Sequence, residues 1–146
     1  MSDHIHLTVA TTCHKNGRLL MVEERDNEKL VINQPAGHVE AGESLKAAAL
    51  RETLEETGYQ VELQALLGIS VLTSTNGTTY YRISFLADCP DQLANTQLDE
   101  DIERAVWMTP EEILASKNHR SDLVAKDVQR FLSGETYPLE MLHENP

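Results

Sequence analysis

The chain has 146 residues, with 12 Lys and Arg against 24 Asp and Glu, and so a net charge of −12 at neutral pH. Hydrophobic residues make up 40% and charged residues 25%, the composition of a globular domain rather than a disordered or membrane-embedded segment. A chain this acidic, with no Lys/Arg cluster, excludes a nucleic-acid polymer or an anionic membrane as partner, and an anionic substrate would need a carboxylate-held divalent cation to reverse the local sign.

The start, Met1-Ser-Asp-His-Ile-His, lacks the basic stretch and apolar core of a secretory signal. No apolar run approaches the roughly 18 residues of a membrane span. Cys13 and Cys89 stand far apart without Cys-x-x-Cys spacing, so neither a disulfide scaffold nor a cysteine zinc site is expected. One domain over residues 1–146, in a bacterial-type cytoplasm, is the expectation.

Residues 5–13 read as a strand. Asn16-Gly17 supplies the positive φ of a tight hairpin, and 18–23 return as the second strand. Residues 25–29 read as a polar loop and 30–33 as a short strand stopped by Pro35. Residues 37–43 hold two glycines and no apolar periodicity, so they read as a loop. Residues 44–57 read as a helix that Gly58 terminates. Two further strands are expected at 61–72 and 78–87, joined by a turn at Ser74-Thr75-Asn76-Gly77. An acidic loop at 88–101 precedes a short strand at 104–108. Thr109-Pro110-Glu111-Glu112 combines a capping Thr, Pro at the first helical position and Glu at the third. A last helix is expected from Ser121 through Leu132, ended by Gly134. No element is assigned to 135–146, and residues 137–142 are expected to pack on the last helix. Strands with one central helix and two terminal ones predict an α/β fold with a mixed sheet between helical layers.

The central helix needs a reason. At about 100° per residue, Leu50, Leu54, Ala47 and Thr57 share one side, and Glu52, Glu55 and Glu56 crowd the other. Like charges three and four residues apart cost about 0.2–0.5 kcal/mol per pair, and only Arg51 offers relief. Toward the N-terminus the same arc meets Ala49, Ala48 and Leu45, which belong on a covered face. The glutamates are therefore expected to face a cleft and to be paired there with cations. Carboxylate oxygens select Mg²⁺ or Mn²⁺ over zinc. The preceding loop, with Gly37 and Gly42, can offer a carbonyl to a metal or an N–H to a phosphate.

Gly37, Glu43, Arg51, Glu52, Glu55, Glu56 and Gly58 fit the Nudix box, G-x5-E-x7-R-E-U-x-E-E-x-G-U, over residues 37–59. Thr53 departs from it, standing where an aliphatic residue is usual. On these residues the chain resembles the Nudix hydrolases. Asn33-Gln34-Pro35-Ala36-Gly37-His38, Thr109 to Ile113 and Tyr137 to Met141 resemble the bacterial NudJ-type Nudix phosphatases. The resemblance implies a Nudix α/β/α sandwich and Mg²⁺-dependent hydrolysis, with Mn²⁺ able to substitute, of phosphate-anhydride bonds in nucleoside di- and triphosphates. It further implies orthophosphate release and action on a hydroxymethylpyrimidine pyrophosphate of the thiamine pathway. Glu52, Glu55 and Glu56 would be the metal-facing carboxylates, with one glutamate taking the proton of the attacking water. The Gly37 carbonyl would be a further ligand. Arg51 would brace the glutamates, with Glu43 as its partner. Glu100, Asp101 and Glu103 are candidates for a distal acid that completes the site. The loop Asp99-Glu100-Asp101 reads as solvated in isolation, but its position before a strand in a chain with this box makes it a candidate for a ligand role.

Beyond the fixed residues of the box, His38 adjoins Gly37, and Arg82 lies on a strand from which it could reach a phosphate, although a surface position suits it equally. Both are candidates for substrate binding. Alternation puts Tyr80 and Arg82 on one face and Tyr81 on the other. His4 and His6 read as surface or edge residues, and Trp107 reads as core. Three alternatives stand beside this reading: a Nudix pyrophosphohydrolase that releases pyrophosphate or cleaves another X-linked nucleoside diphosphate, a non-catalytic nucleotide-binding Nudix module, and a Ca²⁺-responsive protein. The non-catalytic modules usually lose box glutamates that this chain keeps, and no Asp-x-Asp-x-Asp-Gly loop supports Ca²⁺.

Overall fold

The computed structural model describes residues 4–91, 93–94 and 97–146. The opening residues 1–3 and positions 92, 95 and 96 of the expected 88–101 loop lie outside the described residues. Strands β1 (Ile5–Lys15), β2 (Arg18–Asp26), β3 (Lys29–Asn33), β4 (Ala36–His38), β5 (Glu62–Thr73), β6 (Thr79–Asp88) and β7 (Ile102–Met108) form one seven-stranded sheet. Its spine runs β3-β2-β1-β6-β5, with β4 also on β1 and β7 also on β2. The β1–β6 pair is parallel and the other pairs are antiparallel, so the sheet is mixed. Helices α1 (Leu45–Thr57), α2 (Pro110–Ala115) and α3 (Leu123–Ser133) complete the chain, with a 3-10 turn at Leu139–Met141.

The first hairpin turns at Asn16 and Gly17, with φ of 53° and 77°, the left-handed pair a two-residue turn requires. The polar loop expected at 25–29 is corrected to a second such hairpin. Asn27 and Glu28 take φ of 51° and 70°, and β2 and β3 stay paired from Val22↔Asn33 to Asp26↔Lys29. Sequence pattern hides this because neither turn residue is glycine.

The loop expected to begin at Gly37 is corrected as well. Ala36–His38 pairs with Thr8–Ala10 of β1. β1 and β2 pair only at His14↔Leu19 and Lys15↔Arg18. Beyond that the sheet forks: β3 follows β2 while β4 follows β1, and the Thr11 N–H donates to the Pro35 carbonyl at 3.0 Å across the fork. Backbone groups that β2 leaves unpaired on β1 are satisfied by β4, as buried amides must be.

Both faces of the sheet are covered. Ala48 and Ala49 of α1 pack on Val9, Leu66, Ile83 and Phe85. Ile113 of α2 and Val124 and Val128 of α3 pack on Leu19, Met21 and Ile32. A third cluster joins Leu20, Cys13, Cys89 and Val61 with Tyr59 and Trp107. Cys13 and Cys89, remote in sequence, are therefore buried neighbours, and both are free thiols. Residues 137–142, expected on the last helix, have their contacts on β5 and on the core beneath α1. Tyr137 exchanges both backbone bonds with Leu66 of β5 at 2.8 and 2.9 Å, and Leu139 and Leu142 join the core beneath α1.

Candidate metal centre and active-site cleft

α1 carries the box glutamates, and its ends are fixed locally. Ser44 accepts from the Ala47 N–H at the N-cap, and Gly58, at φ 82°, donates to the Leu54 carbonyl. The buried side is Ala48, Ala49, Thr53, Glu56 and Thr57, so the carboxylate arc does turn inward, while Leu50 is exposed. Thr53 is fully buried. It donates to the Ala49 carbonyl at 2.7 Å, and its oxygen lies 2.9 Å from the Thr11 hydroxyl. The departure from the usual aliphatic residue thus places a hydroxyl pair between α1 and β1.

Carboxylate oxygens of Glu52, Glu56 and Asp99 all lie within 4.8 Å of one another. Glu52 is admitted by Gly37, because a Cβ there would fall inside the Glu52 carboxylate. Glu56 accepts from the Ala36 N–H at 2.9 Å. Asp99 is delivered by its own N–H, which donates to the Glu55 carbonyl at 3.0 Å. Arg51 forms a fork on Glu43, at 2.7 and 3.0 Å, and reaches Glu52 at 2.8 Å, Glu55 at 3.5 Å and the His38 carbonyl at 3.1 Å. Such bidentate, charge-assisted bonds are the strong ones. They hold the Glu43 carboxyl down at about 2 and push the Arg51 guanidinium further up.

The trio itself is only partly compensated, by Arg51 on Glu52 and the Ala36 N–H on Glu56. Burial pushes Glu56 up to about 9, against the Ala36 N–H, with the Glu24, Glu52 and Asp99 charges adding to the rise. Burial also raises Glu52, against the pull of Arg51. Converging hard oxygen donors with so little cationic compensation are the donor set a small divalent cation requires.

The trio sits in a cleft of about 780 Å³. Gly37, His38 and Tyr80 line it, as do Glu24, Asp26, Asn33, Arg82, Asp101 and Arg120. His38 accepts or donates at 2.8 Å with His6; its pKa is lowered first by burial, then by His6 and Arg120. His6 also meets Tyr80 edge-on, so it is part of the wall behind the cleft rather than a plain edge residue.

The sequence-derived residues therefore separate. Glu52 and Glu56 converge and Gly37 frames them. Glu55, with its side chain 40% exposed, lies outside the trio on the Arg51 side. Among the distal acids, Glu100 is exposed, Asp101 lines the cleft, and Glu103 pairs with Arg25. The acid that joins Glu52 and Glu56 is Asp99, which the acidic run at 99–101 could not single out, because a backbone bond to α1 sets its register. Arg82 is only 5% exposed, not a surface residue. It donates to Asp127, Asn33 and Gln34 at 3.1, 3.3 and 2.7 Å. Trp107 is half-buried against Tyr59.

The family model for the NUDIX domain matches residues 4–127. The chain belongs to the Nudix family. It is 42% identical over 138 residues to Phosphatase NudJ of Escherichia coli K12, covering 94% of this chain and 90% of that one. Phosphatase NudJ of Shigella flexneri matches to the same extent. A Nudix hydrolase from Nitrosomonas europaea superposes with a TM-score of 0.91 at 38% identity, over 96% of this chain and 97% of that one. The Escherichia coli ORF135 protein shares the fold, with a TM-score of 0.72 at 19% identity over 89% and 90% of the two chains. As a Nudix hydrolase, this chain acts on phosphorus-containing anhydrides of small nucleotide-type molecules. Among the described residues no helix is long and apolar enough to cross a membrane.

Proposed function

We propose that this Nudix hydrolase is Mg²⁺-dependent, with Mn²⁺ able to substitute, and removes orthophosphate stepwise from nucleoside tri- and diphosphates. Hydroxymethylpyrimidine pyrophosphate is a further substrate under this reading. Residues 1–146 act as one unit, in the cytoplasm. The observation that carries the reading is the convergence of Glu52, Glu56 and Asp99 within 4.8 Å beside a glycine that admits Glu52.

In this reading Glu52, Glu56 and Asp99, with the Gly37 carbonyl, hold the cation. When bound, Mg²⁺ neutralises nonbridging phosphate oxygens and makes a coordinated water more acidic. Glu55 is the box carboxylate outside the trio and is assigned as the proton acceptor, within reach along the same helix face. Arg51 and Glu43 hold the loop and the glutamates in register. The substrate is recognised mainly through its phosphates, with loose selection of the base. The phosphatase name of the Escherichia coli relatives favours orthophosphate release.

Reaction in ¹⁸O-labelled water followed by ³¹P NMR tests it. Orthophosphate and a nucleoside diphosphate, then a monophosphate, are expected. Pyrophosphate as the main product, with label on the nucleoside monophosphate, would replace the phosphatase reading with that of a pyrophosphohydrolase.

A further inference from the structure

Nonbridging phosphate oxygens beyond those at the acidic trio need a cation from the protein, and the cleft wall contains three arginines: Arg25, Arg82 and Arg120. Arg82 is buried and committed to Asp127, Asn33 and Gln34. Arg25 is paired with Glu103. Arg120 differs. Its side chain is 43% exposed, with Nη1 on Glu24 at 2.8 Å and Nε 3.8 Å from Asp26.

Arg120 does not sit on a loose loop. The Ile32 N–H donates to the Asn118 carbonyl at 2.9 Å, and the Arg120 N–H donates back to the Ile32 carbonyl at 2.9 Å. Residues 118–120 thus run as a short added strand on the edge of β3, bridged at Ile32↔His119. A chain of buried polar groups also ends at the guanidinium. Asp127 accepts from Arg82, Arg82 donates to Asn33, Asn33 donates to Glu24 at 3.4 Å, and Glu24 accepts from Arg120. Buried polar chains fix geometry to the extent that their members are satisfied; here Asp127 Oδ2 is bonded by Arg82 and Ser84, while its Oδ1 is buried without a partner among the described residues. This one runs from α3 across β6, β3 and β2 and ends on one cationic group at the cleft.

We propose that Arg120 is the phosphate-binding residue of the cleft, gripping nonbridging oxygens of the phosphoryl group next to the one at the Glu52–Glu56–Asp99 cluster. The ligand class is a di- or triphosphate ester, since a monophosphate seated at the cluster has no second phosphoryl group to offer. Glu24, Asn33 and Arg82 are positioning residues that hold the guanidinium edge toward the cleft. The inference rests on the hydrolase reading above.

R120Q tests it, with imidodiphosphate in the presence of Mg²⁺ as a non-hydrolysed probe and a nucleoside triphosphate as substrate. Because R120Q alone strands the buried Glu24 carboxylate, the double variant R120Q/E24Q is measured beside it. Expected are a roughly tenfold or greater rise in KM and in the calorimetric Kd for imidodiphosphate, with kcat changed far less. Mn²⁺ binding without phosphate should be unchanged. R120Q/E24Q should recover the thermal stability lost in R120Q but not the affinity for imidodiphosphate, whereas a merely structural arginine would recover both. Affinity within about twofold of wild type in R120Q, or restored in the double variant, would overturn the proposal. A wild-type protein that binds imidodiphosphate through Arg120 but hydrolyses no nucleotide would refute the hydrolase reading and uphold this one.

Discussion

Replacing Glu56 by Gln separates what this residue does for function from what it costs the fold. In the metal-free protein its carboxyl is pushed up to about 9 from an ordinary 4.5. The native state therefore holds a proton through that window while the unfolded chain releases it. Stability is undiminished below about pH 4.5 and falls as pH rises towards 9, by about 1.4 kcal/mol per unit. At pH 7.5 the three units above 4.5 amount to about 4 kcal/mol as an upper figure. Gln never ionises, keeps the shape, and can still accept from the Ala36 N–H. Metal-free E56Q should thus come close to wild type near pH 5 and exceed it increasingly towards pH 8, by up to about 15 °C in Tm. Acids remote from Glu56 titrate alike in both proteins and cancel in the difference, while Glu24, Glu52 and Asp99 are coupled to it and hold the difference below the upper figure. With Mg²⁺ the order should reverse: wild type gains stability and E56Q gains little, while its turnover nearly vanishes. Thermal melts in chelator and in Mg²⁺, from pH 5 to 8, measure both effects. Metal-free melting curves that run parallel across this range would refute the account of Glu56 as a carboxyl kept neutral by burial.

Activity should require Mg²⁺ or Mn²⁺, disappear in EDTA and be poorly supported by Ca²⁺, whose larger and looser coordination misplaces water and phosphate; full turnover after rigorous chelation would exclude the metal mechanism. G37A should lower turnover by about 100-fold by displacing the Glu52 carboxylate, on the order that a 1 Å misplacement costs, and calorimetry should register weaker Mn²⁺ binding. E144A should lower stability by about 1 kcal/mol, because Glu144 accepts from the Leu45 and Lys46 N–H groups at the start of α1; an unchanged Tm would dismiss this cap.

The catalytic helix was legible because its caps, its length and its carboxylate spacing are all local. The capping box of α2 was legible for the same reason, and Thr109 and Glu112 do exchange both bonds. Arg120 and the β1–β4 pairing were not legible, and Asp99 was legible only as one member of the run Asp99-Glu100-Asp101. Each depends on a backbone bond between segments remote in sequence: Asp99 to Glu55, Arg120 to Ile32, and β4 to the length of β1 that β2 abandons. Arg82 was open to a surface reading because alternation gives its face but not what covers that face. α3 covers it and supplies Asp127.

The cap that Glu144 places on α1 ties the catalytic helix to a residue 99 positions downstream of Leu45. During synthesis the box segment emerges long before its N-terminal amides can find that carboxylate, and Leu139 and Leu142 reach the core beneath it equally late. The helix can form early from its own Ser44 cap and Gly58 stop, but it completes its seat only when the tail docks. Closing so long a loop is slow relative to local contacts. Nascent chains halted before residue 144 should therefore hold the Nudix box as a frayed helix, so that gain of activity on the ribosome would mark the docking of the tail rather than the making of the motif.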